Sequence, residues 1–500
     1  MRNTEYNKRI DSIKPSEYSR EERRPRWHTT KMDSVKTKKP PKQRGSNKLN
    51  MCEGPILPLL IKFAFPVLVT GVLQVLFNAA DIMVVGQFGS EHSLAAVSST
   101  GSITALIVNL FIGLTAGTTV LCARFFGAND EKALSETVHT SITISLIIGV
   151  FLTVIGVIFA EPLLKLMGVP EEVLPLSVLY MEIYFLGMVP GLIYNFAASV
   201  LRAVGDTKRP MYFLTIAGVL NVLLNLLFVI VLKMDVAGVA LATVISQTVS
   251  CVLTVICLMR ESEDIRLVIG KLRISKKRLL QIIAIGLPSG LHSTMFNLAN
   301  VVIQSSINSF GPVAMAGNGA SGSIESLLFT ALGAISQAIV SFTSQNFGRY
   351  NYKRIVKAHL WGQAIVYTFG VALCILAVVF AEPLISLYAD NPEEIAAGVA
   401  KLQMIGILTF IYSSSDLAVA TMRGMGSSLT PTVTSLICVC GARLLWIATF
   451  FQLPEFHTLS GLYFAFPLSY VLSLVVQLIS MIIVYKHIKK KHPEPTVSTV

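Results

Sequence analysis

Apolar residues fill this chain in twelve runs, each long enough, at about 20 residues, to cross the hydrocarbon core of a bilayer as a helix. The pattern predicts spans at 58–85, 93–121, 136–160, 174–200, 210–232 and 236–259, then at 279–307, 314–343, 355–380, 396–421, 431–452 and 460–485. Between them lie short polar segments whose charge alternates. Segments after even-numbered spans carry Arg124 and Lys132, then Arg202, Lys208 and Arg209, then the basic stretch Arg260 to Arg278, then Arg349, Lys353, Arg354, Lys357 and Arg423. Segments after odd-numbered spans offer Lys165 and Lys233. Positive loops stay on the cytoplasmic side, so both chain ends are expected there, with an extracellular loop around Glu382 to Glu394.

The twelve runs are one plan used twice. RAVGDTKRP, Arg202 to Pro210, returns as RGMGSSLTP, Arg423 to Pro431, and 423 − 202 gives an offset of 221. The same offset joins Gly101-Ser102-Ile103 to Gly322-Ser323-Ile324, Phe126-Gly127 to Phe347-Gly348, and FAEPL at 159–163 to FAEPL at 380–384. Near the start of each half, Pro66, Asn78 and Gly89 pair with Pro288, Asn300 and Gly311 at 222. Gly, Pro, Arg and Glu matching in register through an apolar chain mark a duplication, a frequent plan among transporters. Six spans per repeat is even, so the repeats run parallel, with a substrate path between two lobes. Each Arg-Gly-Pro block reads as a helix-to-helix turn. Arg202 and Arg423 can close the preceding carbonyls, Gly205 and Gly426 admit a positive φ, and Pro210 and Pro431 sit where no amide donor is needed.

Composition narrows the class. A 53% hydrophobic, 14% charged chain with mean hydropathy +0.64 is a polytopic membrane protein. Residues 1–50 hold fifteen Lys or Arg against six Asp or Glu, so this arm carries +9 of the net +12. It lacks the aromatic interleaving and the module motifs of a nucleic-acid binder, and is expected to be a disordered cytoplasmic arm near anionic lipid. Met32 and Met51 offer alternative starts. The expected divisions are 1–50, an N-terminal lobe at 51–260, a cytoplasmic linker at 261–278, a C-terminal lobe at 279–488 and a tail at 489–500. Seven scattered Cys show neither a disulfide framework nor a zinc spacing, and the His residues do not cluster, so no cofactor and no enzyme chemistry is expected.

Candidate chemistry is confined to the few polar groups inside spans. A carboxylate within a span costs about 2.5–3.5 kcal/mol on insertion scales, which makes Asp81 a functional candidate, with a helix-end residue reaching interfacial water as the plainer alternative. Asn221 and Asn225 stand four apart, on one face of the fifth span, and Thr243 lies one span on. Plain helix-to-helix hydrogen bonding would use the same three residues. Gln74, Glu182, Asn195, Glu325 and Asp416 are candidates to face the cleft; Asp416 is the repeat mate of Asn195. Arg443 is expected to pair with one of Glu182, Glu325 and Asp416. Pro66 and Pro288 are candidate hinges, because a proline frees a backbone carbonyl.

Taken together, LRAVGDTKRP with MRGMGSSLTP, SQNFG at 344–348, and Gln74, Asp81, Gly86 and Gly89 in the first span resemble the multidrug and toxic compound extrusion (MATE) transporters, over nearly all of 51–491. The resemblance implies two six-helix bundles around a V-shaped cleft, working as a monomer in the plasma membrane. It implies an antiporter that exports small organic, often cationic compounds in exchange for H⁺ or Na⁺. It also implies a cation site made by Asp81 with Asn221, Asn225 and Thr243. Many relatives resemble an Asn-x-x-x-Asp pattern where this chain has Asn225, which removes one negative charge and favours H⁺ over a tight Na⁺ cage. The Na⁺-dependent branch has an acid in the seventh span near the place of Phe296. The rival cargo within the superfamily is a lipid-linked saccharide, which would favour an Arg- or Lys-lined cleft; a membrane enzyme or channel ranks lower.

Overall fold

The computed structural model describes residues 48–90, 92–389 and 391–494. The basic arm at 1–50 lies outside them except for Lys48, Leu49 and Asn50, as does the C-terminal tail beyond residue 494. Ten helices among the described residues are long and apolar enough to cross a membrane, and two bent pairs bring the spans to twelve. They are α1 (Ile56–Phe88), α2 (Ser93–Ala128), α3 (Glu131–Leu166), α4 (Leu174–Leu186 continued by Met188–Ala203), α5 (Lys208–Val231) and α6 (Asp235–Met259). The second half adds α7 (Lys276–Asn308), α8 (Pro312–Gly348), α9 (Tyr352–Val379), α10 (Pro392–Ile405 continued by Thr409–Gly424), α11 (Leu429–Gln452) and α12 (Leu459–Lys491). The first turn of α7 takes in Lys276 to Arg278, so the connection between lobes ends at Ser275, three residues sooner than the charge pattern suggested.

Several helices outrun their apolar cores because capping groups hold the extra turns. Asp130 accepts from the amide of Ala133 at the start of α3, and Asn351 accepts from that of Arg354 at the start of α9. These caps are repeat mates, 221 apart, and each follows a left-handed residue, Asn129 and Tyr350, both at φ 56°. The Arg-Gly-Pro turns are mates in the same detail: Gly205 has φ 88° and Gly426 φ 90°. The expectation for their arginines needs correction. The last carbonyls are closed by backbone amides, Gly205 to Arg202 and Asp206 to Leu201, repeated as Gly426 to Arg423 and Ser427 to Met422. The Arg423 guanidinium is left to reach His292 Nδ1, 3.1 Å away in α7.

Both prolines lie within unbroken helices, Pro66 in α1 and Pro288 in α7. The sharp bends fall elsewhere, 45° at Gly187 in α4 and 48° at Gly406 to Leu408 in α10. A π-helical turn, Leu226–Val231, begins immediately after Asn225; such turns shift the rotation of a helix about its axis and are frequent at functional sites.

The two central helices, α2 and α8, define the cleft. Although mostly buried, α8 exposes Met315, Gly319, Ser326 and Gln337 along one stripe, and α2 exposes Leu94, Ser98 and Gly101, the mates of Met315, Gly319 and Gly322. A methyl placed on Gly101, Gly319, Gly322 or Gly333 would touch nothing. Beyond this open stretch the lobes close on one another. A methyl on Gly71 of α1 would lie 2.4 Å from Thr330 of α8, one on Gly113 of α2 2.1 Å from Gly290 of α7, and one on Gly117 2.3 Å from the carbonyl of Ile282. The V closes fully at the face carrying Lys48 and Lys491. There Gly127 packs on the backbone of Gln345 (2.0 Å for an added methyl) and Gly348 on that of Arg124 (2.1 Å). Gly127 and Gly348 are mates, and so are Arg124 and Gln345, so α2 and α8 cross on the pseudo-two-fold axis.

Candidate functional site

On the N-terminal side, α1 and α5 approach because Gly218 leaves room for the ring of Phe77; a methyl on Gly218 would sit 1.8 Å from it. That contact fixes the rotation of both helices. One turn further along α1, Asp81 meets the α5 face carrying Asn221 and Asn225. Asn225 Nδ2 donates to Asp81 Oδ1 and lies 3.4 Å from Asn221 Oδ1. Asn221 Nδ2 lies 3.4 Å from Thr243 Oγ1 of α6, and Thr243 also faces the Asp81 carboxylate. Asn225 is fully buried, Asn221 nearly so, and Asp81 is half-buried. The four residues inferred from the sequence therefore form one cluster. Asp81 stands seven residues from the end of α1, about 10 Å at 1.5 Å per residue, so it lies in the part of the span away from the closed face.

Asp81 forms no ion pair among the described residues, and the Oδ1 of Asn225 has no donor. The ends of a carboxamide are complementary. Nδ2 suits a charged carboxylate and Oδ1 suits a protonated one, so a half-turn of the Asn225 amide would serve either form. Two rings missed from the sequence, Tyr180 and Tyr184 of α4, stack at 6.1 Å within electrostatic range of Asp81. Tyr carries no charge, so a scan for ionisable groups within spans passes over it.

The remaining candidates divide. Gln74 is exposed on the α1 face that also exposes Asn78. Asn195 spends its amide on the carbonyl of Gly191 in its own helix, at 2.8 Å. Glu182 and Asp416 are half-buried and make neither a hydrogen bond nor an ion pair among the described residues; Asp416 lies within electrostatic range of Tyr412 and Arg423. Glu325 is buried and already paired, as described below.

The closed face has its own device. Residues Lys48 to Glu53 run across it as a strap between the lobes. Lys48 pairs with Asp264 at 3.0 Å and Glu261 at 3.6 Å on the N-terminal side, and the Leu49 backbone lies against Gly205, where an added methyl would sit 2.6 Å from the Leu49 carbonyl. Met51 then crosses to α8 and α9. Its amide donates to Gln345 Oε1 at 2.9 Å, and its carbonyl accepts from Asn346 Nδ2 at 3.1 Å and Arg354 Nε at 3.0 Å. Gln345 Nε2 donates back to the Ala203 carbonyl at 2.9 Å, so one buried side chain bridges strap and both lobes. Arg209 and Asp206 pair beside it, with Arg209 also meeting Glu261. Burial outweighs Arg209 and holds the Asp206 carboxyl above the usual range.

Comparison with known proteins bears on this geometry directly. A family model described as MatE matches twice, over residues 66–227 and 288–447, the two halves of the duplication. The chain belongs to the MatE family. Among its relatives are the "Probable multidrug resistance protein YoeA" of Bacillus subtilis (strain 168), 28% identical over 427 residues, 83% of this chain and 91% of that one. Another is the "FAD transporter" of Shewanella oneidensis, 29% identical over 351 residues, 69% of this chain and 76% of that one. Among solved structures, an outward-facing multidrug resistance MATE family transporter superposes with a TM-score of 0.82 at 22% identity, over 90% of this chain and all of the other. At that identity the likeness establishes the shared fold.

Within this MatE chain the C-terminal lobe departs from the N-terminal one. Offset by 222, the counterpart of Asp81 is Ile303, which is buried. Arg443, expected to pair with an acid, pairs with none among the described residues. Its Nε donates to Ser469 Oγ at 3.0 Å and its Nη1 to Asn300 Oδ1 at 3.0 Å, and the guanidinium lies 4.3 Å from the Phe466 ring centre and 5.4 Å from that of Phe296. Aromatic faces and neutral acceptors stand in for the carboxylate. Glu325 has another partner, Lys401 of α10, at 3.1 Å, and accepts from Ser321 as well. Lys401 was legible as a lone cation in IAAGVAKLQMIGIL, but a loop-based charge count passes over it. The pair is buried at both ends, so Lys401→Met should leave an unpaired buried carboxylate and destabilise the protein by about 3–5 kcal/mol. Thermal melting of the detergent-solubilised protein would show a lower midpoint for this variant, and a midpoint near wild type once Glu325→Gln is added. Equal melting of the single and double variants would refute the pairing.

Proposed function

We propose that this MatE protein is a secondary active exporter of small organic molecules, exchanging them for protons by alternating access, with its basic, strap-bearing face in the cytoplasm of a cell whose plasma membrane it spans. The observation that carries the reading is the Asp81 cluster: a carboxylate beside the cleft, faced by Asn225, Asn221 and Thr243, with no cation paired to it among the described residues. The names of the relatives supply the cargo class, small organic compounds. Asn225 is neutral, so the cluster presents a single formal negative charge. One such charge suits a proton, whereas a Na⁺ cage gains from more carboxylates.

The energetics are adequate. A proton entering down the gradient releases about 2.3 kcal/mol per 100 mV and about 1.4 kcal/mol per unit of ΔpH. Moving a two-state equilibrium from 1:99 to 99:1 takes about 5.5 kcal/mol, so one or two protons suffice to exchange the closed face. The saccharide-flippase reading would want cations lining the cleft, and Arg443 instead lies fully buried behind Phe296 and Phe466.

Dye efflux from vesicles with the two gradients imposed separately tests the coupling. Export should follow ΔpH and remain unchanged when Na⁺ is varied at fixed pH. Efflux that requires Na⁺ and ignores ΔpH would transfer the coupling role to sodium.

A further inference from the structure

The lobe connection does more than join α6 to α7. His139, buried in the third turn of α3, accepts the Val268 amide on Nε2 at 3.2 Å, while its Nδ1 lies 2.8 Å from the Ser135 carbonyl. Further along, the Ser275 amide donates to Thr140 Oγ1 at 3.1 Å. The connection is thus pinned to α3 at both ends, and the stretch between, with a 3₁₀ turn at Ile269–Lys271, arches away from the helix. Beneath the arch lies an open cavity of about 470 Å³ lined by Lys132, Ser135, Glu136 and His139 of α3 and by Gly270 to Arg273 of the arch.

Its charge is one-sided. Lys132, Lys271 and Arg273 are exposed and form no ion pair among the described residues. The one acid in the lining, Glu136, is neutralised from behind by Arg278 Nε at 3.1 Å, and Arg278 is itself held over the Phe125 ring. Three convergent cations, a hydroxyl and no free carboxylate make a receptor for a phosphate-bearing anion. The volume lies within the range, about 300–1,000 Å³, of small-molecule sites. The surroundings choose the source. Ile269 and Ile274 project from the arch into the open, and so does Leu280 one turn into α7. Exposed aliphatic chains beside a basic hollow at the end of a membrane-spanning helix suit a molecule with a charged head and acyl chains.

We infer that the cavity between the first three turns of α3 and the arch Ile269 to Arg273 binds the headgroup of an anionic phospholipid. The inference rests on the membrane placement of the fold but not on the exported compound or the coupling ion. Occupancy would tie the inter-lobe connection to the bilayer surface.

Native mass spectrometry of the full chain, released from nanodiscs of phosphatidylcholine containing a minor fraction of phosphatidylglycerol, tests it. Wild type should retain phosphatidylglycerol over phosphatidylcholine by about tenfold after correction for composition, and the variant Lys132→Gln/Lys271→Gln/Arg273→Gln should lose that preference. Lys276→Gln/Lys277→Gln, which removes neighbouring cations outside the cavity, should keep it. Unchanged retention in the triple variant would overturn the inference, and so would equal loss in the Lys276/Lys277 control, which would signify a diffuse basic field. Displacement of the lipid by millimolar glycerol phosphate would assign the cavity to a soluble phosphate and overturn the lipid assignment. Because the readout is lipid retention, its failure would leave the exporter reading intact.

Discussion

Asp81→Asn should abolish gradient-driven export, lowering it at least about 100-fold, the factor that corresponds to about 2.7 kcal/mol of lost driving force. The amide fills the same volume and keeps a hydrogen bond with Asn225, so insertion and folding should survive. What it loses is the second protonation state. A group that cannot ionise has the same charge on both sides of the cycle, and a ligand with equal affinity for two states shifts nothing between them. Substrate binding measured without a gradient should stay near wild type, and that split distinguishes lost coupling from a collapsed site. Wild-type export from Asp81→Asn would make the cluster a structural hydrogen-bond network. The coupling role would then pass to Asp416 or Glu182, the unpaired acids of α10 and α4; Glu325, held by Lys401, would follow behind them.

Gly127→Leu should disable the other half of the cycle. The closed face depends on α2 and α8 crossing with backbone against backbone, and a methyl at Gly127 already lies 2.0 Å from the Gln345 carbonyl. Peptide backbone has no rotamer to move aside, so the crossing must open. Overpacking of this kind costs about 1–3 kcal/mol, and this contact belongs at the upper end because carbon would meet carbonyl oxygen directly. The same displacement draws Gln345 away from Met51 and Ala203, loosening the strap. Export should fall about tenfold or more, the factor for about 1.4 kcal/mol of bias against the closed face. A cysteine at Leu121, buried in wild type against Ile282 and Ile285 of α7, should become open to thiol reagents from the strap-bearing face. Export within twofold of wild type, with position 121 still protected, would mean that the lobes do not depend on this crossing.

The pairs on which these experiments turn differ in how they could be found. The cluster at Asp81 was anticipated because a carboxylate inside an apolar run is conspicuous, and because the family resemblance supplied its companions. The strap was not, although its anchor SQNFG was singled out as a motif. Nothing in Ser344 to Gly348 says that Gln345 accepts from the backbone of a residue 294 positions earlier. The partners of Arg443 are hidden for a related reason. A buried guanidinium is expected to want a carboxylate, but Asn300, Ser469 and the rings of Phe296, Phe466 and Tyr470 surround it instead, and Glu325, one of the three acids it was expected to meet, is held by Lys401.

The spans, the duplication and the alternation of charge between loops are legible along the chain. Lipid offers no partner for an exposed peptide group, so each crossing must be helical and mainly apolar, and that constraint is written along the chain one residue at a time. Glycines and prolines repeated at a fixed offset survive as landmarks because the backbone geometry they permit is local, as the positive φ of Gly205 and Gly426 shows. Which side chains meet follows from packing between helices. That depends on how far each helix is turned about its axis, and the turn is set by close contacts such as Phe77 on Gly218 and Gly127 on Gln345. Most faces of a spanning helix are apolar enough for lipid, so hydrophobicity alone does not select the inward face; packing does.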